Sequence, residues 1–386
     1  MFALKAKTLV TPYRVIEDGV VVVDGEQIKY VGSSQNVCIP EGCEVTDLGD
    51  KILAPGCIDI HHHGAVGCRA WTAEGVKKIG AFLPSTGCTS WLPTVNDAEH
   101  CRQIMQAKRE GTGGADIAGI HMEGPFLAPK NLPGKPEVDA HLRKPDLKLL
   151  EQIQEAAEGN VLLMGVGIEV EGALELIRGM RRLGIVPSVA HTKTDYATFM
   201  KAVDAGLRHA THLYNVMTGL HHRRPNVVGG VLTCDEVTTE LIGDGFHVHP
   251  VAMDIAIRCK GVGKIALITD QSELAGLPDG RYERPNGVAI IKKDGICRME
   301  GFDEKTDNTM AGSSLTIDHN VRTMVNKVGL SLKEVFTMAA LTPATIVGIN
   351  KTKGSLEPGK DADIVVWSKD LVVEAAYVKG QKRYSR

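Results

Sequence analysis

From residue 57 onward the chain alternates short apolar runs of β type with stretches that read as helix, and it does so eight times. The runs are CIDIHHHG, CTSWLPT, IAGIHMEG, LLMGVGIE, VPSVAHT, LRHATHLYN, ELIGDGFHV and KIALITD. Intervening stretches such as GALELIRGMRRLG and YATFMKAVDAG carry apolar residues at helical spacing. Parallel strands need helical crossovers, and eight βα units in one chain argue for a closed barrel. An open doubly wound sheet is the competitor, but it usually begins with a Gly-rich fingerprint, which this chain lacks. The two ends read differently. Residues 1–51 and 350–386 hold short strands around turn signals, as in VVVDGEQIKYVG and GSLEPGKDADIVVW. The expected fold class is therefore α/β: a (β/α)8 TIM-like barrel over residues 52–349, with a small β-sandwich domain formed from both chain termini.

Composition narrows the function classes. A net charge of −3 over 386 residues offers no basic face for nucleic acid and no pull toward an anionic membrane. No apolar run approaches the about 20 residues of a membrane span. The first residues, MFALKAKTLVTPYR, lack an apolar stretch of signal-peptide length. Nine scattered cysteines without a CxxC pair suit reduced thiols and a cytoplasmic location.

In such a barrel the side chains at the C-terminal strand ends face the active site. Strand one ends in His61, His62 and His63, strand three in Glu123, strand five in His191. Strand six carries His212, strand seven is followed by His247, and strand eight ends in Asp270. Each alone has an ordinary reading: a hydrogen-bonded packing histidine, a turn glutamate at Glu123, a helix N-cap at Asp270. Those readings would all have to hold together on one rim. Strand alternation puts His61 and His63 on one face, with Asp59 if it lies in the same strand, and His62 on the other. His62 then reads as structural. A glutamate with two histidines leaves open positions on a divalent metal, as hydrolysis requires. Zinc is the first expectation, with iron(II) and manganese compatible. The His61/His63 pair suits a second ion bridged through Glu123, so one or two ions per subunit are expected.

These residues sit in motifs that resemble the N-acetylglucosamine-6-phosphate deacetylases of the amidohydrolase superfamily. The motifs are PGCIDIHHHG (55–64), HMEGPF (121–126), AHTKT (190–194), THLYNVMTGLHHRRP (211–225), DGFHVHP (244–250), LITD with AGLPDG (267–280), MAGSSLT (310–316) and GSLEPGKDADIVVW (354–367). The resemblance implies Glu123, His191 and His212 as primary metal ligands and His61 and His63 as the second-metal pair. It implies Asp270 as general acid/base and His247 as the contact to the scissile acetamide. It implies a phosphate site at Arg223 with backbone groups of Asn215 and Val216, thickened in charge by His221, His222 and Arg224. The same charged run also reads as a solvated loop. A small amino sugar substrate and a homodimer are implied as partners. Asp270 would take a proton from the attacking water and return it to the leaving amine.

Three segments depart from the family pattern: 127–145, where only His141 is available in place of a Gly-x-His element; 164–169, where strand four lacks an Ala-Pro-Glu ending; and 271–275, QSELA. All three fall on the substrate side of the barrel. They leave open a galacto epimer, a non-phosphorylated acetamido sugar or another small amide. Relatives acting on cyclic amides often use a strand-four lysine, which GVGIE does not offer. A non-catalytic scaffold would typically have lost the ligands or Asp270.

Overall fold

The computed structural model describes residues 1–129, 139–284, 287–300 and 310–386. Eight parallel strands form the barrel: β1 (Cys57–His62), β2 (Cys88–Val95), β3 (Ile120–Met122), β4 (Val161–Val166), β5 (Val186–Val189), β6 (His209–Ala210), β7 (Thr238–Ile242) and β8 (Ile265–Ile268). They pair in sequence order from β1 to β8. The ring closes where His62 bridges Gln271 in parallel and the Asp270 N–H donates to His61 O at 3.0 Å. Thr269 adds a buried hydroxyl bond to Asp59 at 2.5 Å, tying β1 to the end of β8. Right-twisted parallel strands each need a covering helix. Among the described residues a helix follows each of the eight strands, as Ala98–Glu110 does β2, Ala173–Arg182 β4 and Pro250–Lys260 β7. Several starts are legible as side-chain caps: Thr72, Asp97 and Asp195 each accept from a backbone N–H of the first turn. The (β/α)8 reading is thus the fold. Asp270 caps no helix, since the helix that follows β8 begins only at Ile317.

One feature departs from a plain barrel. Four antiparallel strands, Gly280–Glu283, Ala289–Lys293, Ile296–Met299 and Met310–Ser313, sit between β8 and its helix. Their central hairpin turns at Asp294-Gly295, both with positive φ, as a two-residue turn matched to strand twist requires. These strands fall within the 52–349 span expected to be barrel, and they form a separate four-stranded sheet there.

Both chain termini share one eight-stranded sheet, ordered Gln381–Ser385, Val373–Val378, Ile364–Trp367, Ile52–Pro55, Phe2–Val10, Val15–Asp24 and Gln27–Ser33, with Glu44–Asp47 beside Phe2–Val10. Ile52–Pro55 therefore pairs in this sheet and not in the barrel. Its alternation divides two cores. Ile52, Ala54, Val365 and Trp367 pack with the barrel, while Leu53, Ile364 and Val366 pack with Leu4 and Val21 on the other face. Buried Lys353 fastens the junction, with its ammonium 2.8 Å from Asp361, 2.9 Å from Asp363 and 3.1 Å from Asp116.

Among the described residues, no helix is long and apolar enough to cross a membrane. All nine cysteines are free.

Candidate active site

The strand ends bring the predicted residues together. Glu123 Oε1 lies 3.0 Å from His191 Nε2 and 3.1 Å from His212 Nε2, and the two imidazole nitrogens are 3.0 Å apart. Three donors from β3, β5 and β6 thus converge on one point. Metal bonds of about 2.0–2.2 Å place neighbouring donors about 3 Å apart, so the set fits a divalent cation. The other carboxylate oxygen of Glu123 faces away, 3.2 Å from His63 Nε2. His63 Nε2 is in turn 3.2 Å from His61 Nε2, and both approach Asp270 Oδ1, at 3.2 and 3.5 Å. Glu123 therefore joins a His191/His212 half to a His61/His63 half, and Asp270 borders the second.

The electrostatics follow from this crowding. Burial alone would raise the Glu123 pKa, but the imidazoles of His191 and His212 hold it well below the ordinary carboxylate range. Asp270 is likewise pulled down against burial, by His61 and His63, and stays ionised. His62 points the other way, edge-on to Trp91 at 5.0 Å, and neither ring nitrogen has a hydrogen-bond partner among the described residues. Burial pushes its pKa down to about 3, so it packs as a neutral ring.

His247 is held from behind. Its Nδ1 lies 2.6 Å from Asp244 Oδ2, while Asp244 Oδ1 accepts the N–H groups of Phe246 and His247 at 2.8 and 2.9 Å. Burial favours the neutral ring, yet the Asp244 hydrogen bond and charge outweigh it and raise the His247 pKa.

The backbone is strained at these positions. His191, His212 and Asp270 have φ of 46°, 33° and 49°, and Tyr214 and Val216 have 78° and 52°. Left-handed non-glycine residues cost of order 1–3 kcal/mol each and cluster at functional sites. No strand pattern announces them. Glu169, at the end of the altered strand-four segment, braces the His191 loop by accepting from Thr192 Oγ1 at 2.6 Å and Lys193 N at 2.9 Å.

A cavity of about 160 Å³ opens over this centre, lined by His63, Glu123 and His191 together with Arg69, Trp71 and His141. Leu127, Ala128, Asp139 and Leu142 also line it. The displaced His141 thus reaches the pocket wall; residues 130–138 of the same segment lie outside the described residues. In the altered QSELA segment Glu273 lies behind one lining residue, 2.9 Å from Arg69, and 2.7 Å from Arg284. Asn215, Val216, His222 and Arg223 are not among the lining residues. Val216 O accepts the Thr192 N–H at 3.0 Å, which ties that loop to the His191 loop. Arg223 is exposed and lies 2.8 Å from His222 Nε2.

Sequence reasoning passed over Asp244, Glu169, Trp71 and, above all, Glu240 of β7. The signal for Glu240 is a carboxylate at the head of the apolar run ELIGDGFHV, within a strand buried at both neighbours.

The sequence profile of the amidohydrolase family matches residues 52–383. The chain belongs to the amidohydrolase family. Within that family its similarity is to N-acetylglucosamine-6-phosphate deacetylases. It is 34% identical to the enzyme of that name from Bacillus subtilis (strain 168), over 98% of this chain and 96% of the relative. It is 33% identical to an N-acetylgalactosamine-6-phosphate deacetylase of Escherichia coli O157:H7, over 98% of both chains. Among solved structures of amidohydrolases, the N-acetyl-D-glucosamine-6-phosphate deacetylase of Mycobacterium smegmatis superposes with a TM-score of 0.89, at 27% identity, over 100% of this chain and 99% of that one.

Proposed function

We propose that this amidohydrolase removes the acetyl group of N-acetylglucosamine-6-phosphate, giving glucosamine-6-phosphate and acetate. The observation that carries the reading is the Glu123 carboxylate set between His191/His212 and His61/His63, with Asp270 at its edge. Glu123, His191 and His212 would hold the primary divalent cation, zinc by preference for this N/O donor set, and His61 with His63 a second one. A cation held there would supply a water of lowered pKa and a Lewis acid toward the acetamide carbonyl. Asp270, kept ionised, takes the proton of the attacking water. It then passes that proton to the departing amine, which leaves poorly without it. His247, with Nδ1 held by Asp244, donates from Nε2 to the carbonyl oxygen as negative charge builds there. Arg223, His222 and the Asn215–Val216 backbone are assigned to the phosphate.

A second reading, the galacto epimer, is favoured by the nearly equal similarity to the Escherichia coli relative and by the altered segment that carries His141. We further infer a homodimer and a cytoplasmic setting. Exposed Leu220, Phe246, Val251 and Ile255, all following β6 and β7, support the first. Nine free thiols support the second.

The deciding experiment measures amine release from N-acetylglucosamine-6-phosphate, its galacto epimer and their dephosphorylated forms, with metal analysis of the same sample. Fastest turnover of the gluco phosphate is expected. No release from either phosphorylated sugar would overturn the named substrate.

A further inference from the structure

Glu240 is a carboxylate fully buried in the barrel interior on β7. Taking such a charge out of water costs several kcal/mol unless partners compensate it. The partners here are specific. Its Oε2 lies 2.8 Å from His61 Nδ1 and accepts the backbone N–H of His212 at 3.0 Å. Its Oε1 lies 3.4 Å from His209 Nε2. The two ring nitrogens of His61 are thereby given different tasks. An ionised carboxylate can only accept, so Nδ1 carries the proton. Nε2 is then the nitrogen that faces the centre, where His63 Nε2 is 3.2 Å away and Asp270 Oδ1 3.5 Å away. The ring of His121 meets His61 edge-on at 4.5 Å and blocks its rotation from the side.

We propose that Glu240 is a positioning residue that sets both halves of the metal centre, by fixing the tautomer of His61 and the backbone from which His212 projects. The inference rests on the reading of His61 and His212 as metal ligands. Carboxylates that orient a ligating histidine typically contribute 10–100-fold in metal affinity or activity when removed. Glu240 touches no reacting atom, and its action passes through the two histidines.

The test compares the full-length zinc-loaded protein with Glu240→Gln and His61→Asn. Zinc affinity is read by chelator competition, and the tautomer by NMR of ¹⁵N-histidine-labelled protein, His61 being assigned from its loss in His61→Asn. Wild type should show a protonated, hydrogen-bonded Nδ1 on His61. Glu240→Gln should weaken zinc binding about 10–100-fold and shift or abolish that Nδ1–H signal. Weakened binding in His61→Asn with unchanged binding and spectrum in Glu240→Gln would overturn the inference alone. Unchanged zinc binding in His61→Asn would instead overturn the ligand reading beneath it. Should Glu240→Gln not fold, the wild-type spectrum still decides: a His61 without a proton on Nδ1 refutes the role.

Discussion

Asp270 Oδ1 lies 3.2 Å from His63 Nε2, on a strand end that the Asp270 N–H ties back to His61 O at 3.0 Å. The first and last barrel strands therefore present their functional groups to each other across the seam that closes the ring. A base placed there is fixed by the closure of the fold itself. Asp270→Asn should lower kcat by about 10²–10⁴ while metal content stays at the wild-type level. Steady-state kinetics with metal analysis checks this, and activity within about tenfold of wild type would refute the assignment.

The Asp244–His247 pair makes a prediction about pH. With its pKa raised by Asp244, His247 keeps its charge, and so a stronger hydrogen-bond donor, to higher pH than a free imidazole. Asp244→Asn removes that support, so the basic limb of the kcat/KM profile should move to lower pH. At alkaline pH the kcat/KM of the variant should fall below that of wild type, with the two converging at lower pH. A basic limb at the wild-type position would show that the pair does not act on the reaction.

Buried His62 bears on acid stability. Its pKa in the folded chain is about 3, against about 6.5 for an unperturbed imidazole. As pH falls below about 6.5 the unfolded chain takes up a proton that the folded chain refuses until about 3, so this stability is present above the window and is lost through it. His121, also pushed down to about 3 by burial, adds to the same slope. In metal-free protein, His62→Leu should flatten the fall of Tm with pH across this window. An unaltered slope in thermal melts would exclude His62 as a source.

Lys353 lies where the terminal sheet meets the barrel, between Asp116, Asp361 and Asp363. Removing one partner of a buried ion pair typically costs about 3–5 kcal/mol, because the remaining charge stays buried. Lys353→Met should lower stability by about that amount in denaturant unfolding, with kcat of the folded fraction unchanged. A loss below about 1 kcal/mol would mean that water already screens the cluster.

The eight strands, their order and the residues at their ends were legible in the sequence, because parallel strands buried on both faces read as apolar runs and the chain must place their ends on one rim. The pairing of His61 with His63 against His62 followed from the two-residue period of a strand alone. Local pattern carries no information about what meets across the barrel. Which oxygen of Glu123 faces which histidine, the left-handed backbone at His191, His212 and Asp270, and the burial of Glu240 beneath them were decided only by closure of the ring, which brings β1, β3, β5, β6, β7 and β8 to one centre. The pocket wall shows the same division. His141 lies far from Arg69 and Trp71 in the sequence, and they become neighbours because the loops that carry them fold over the same strand ends.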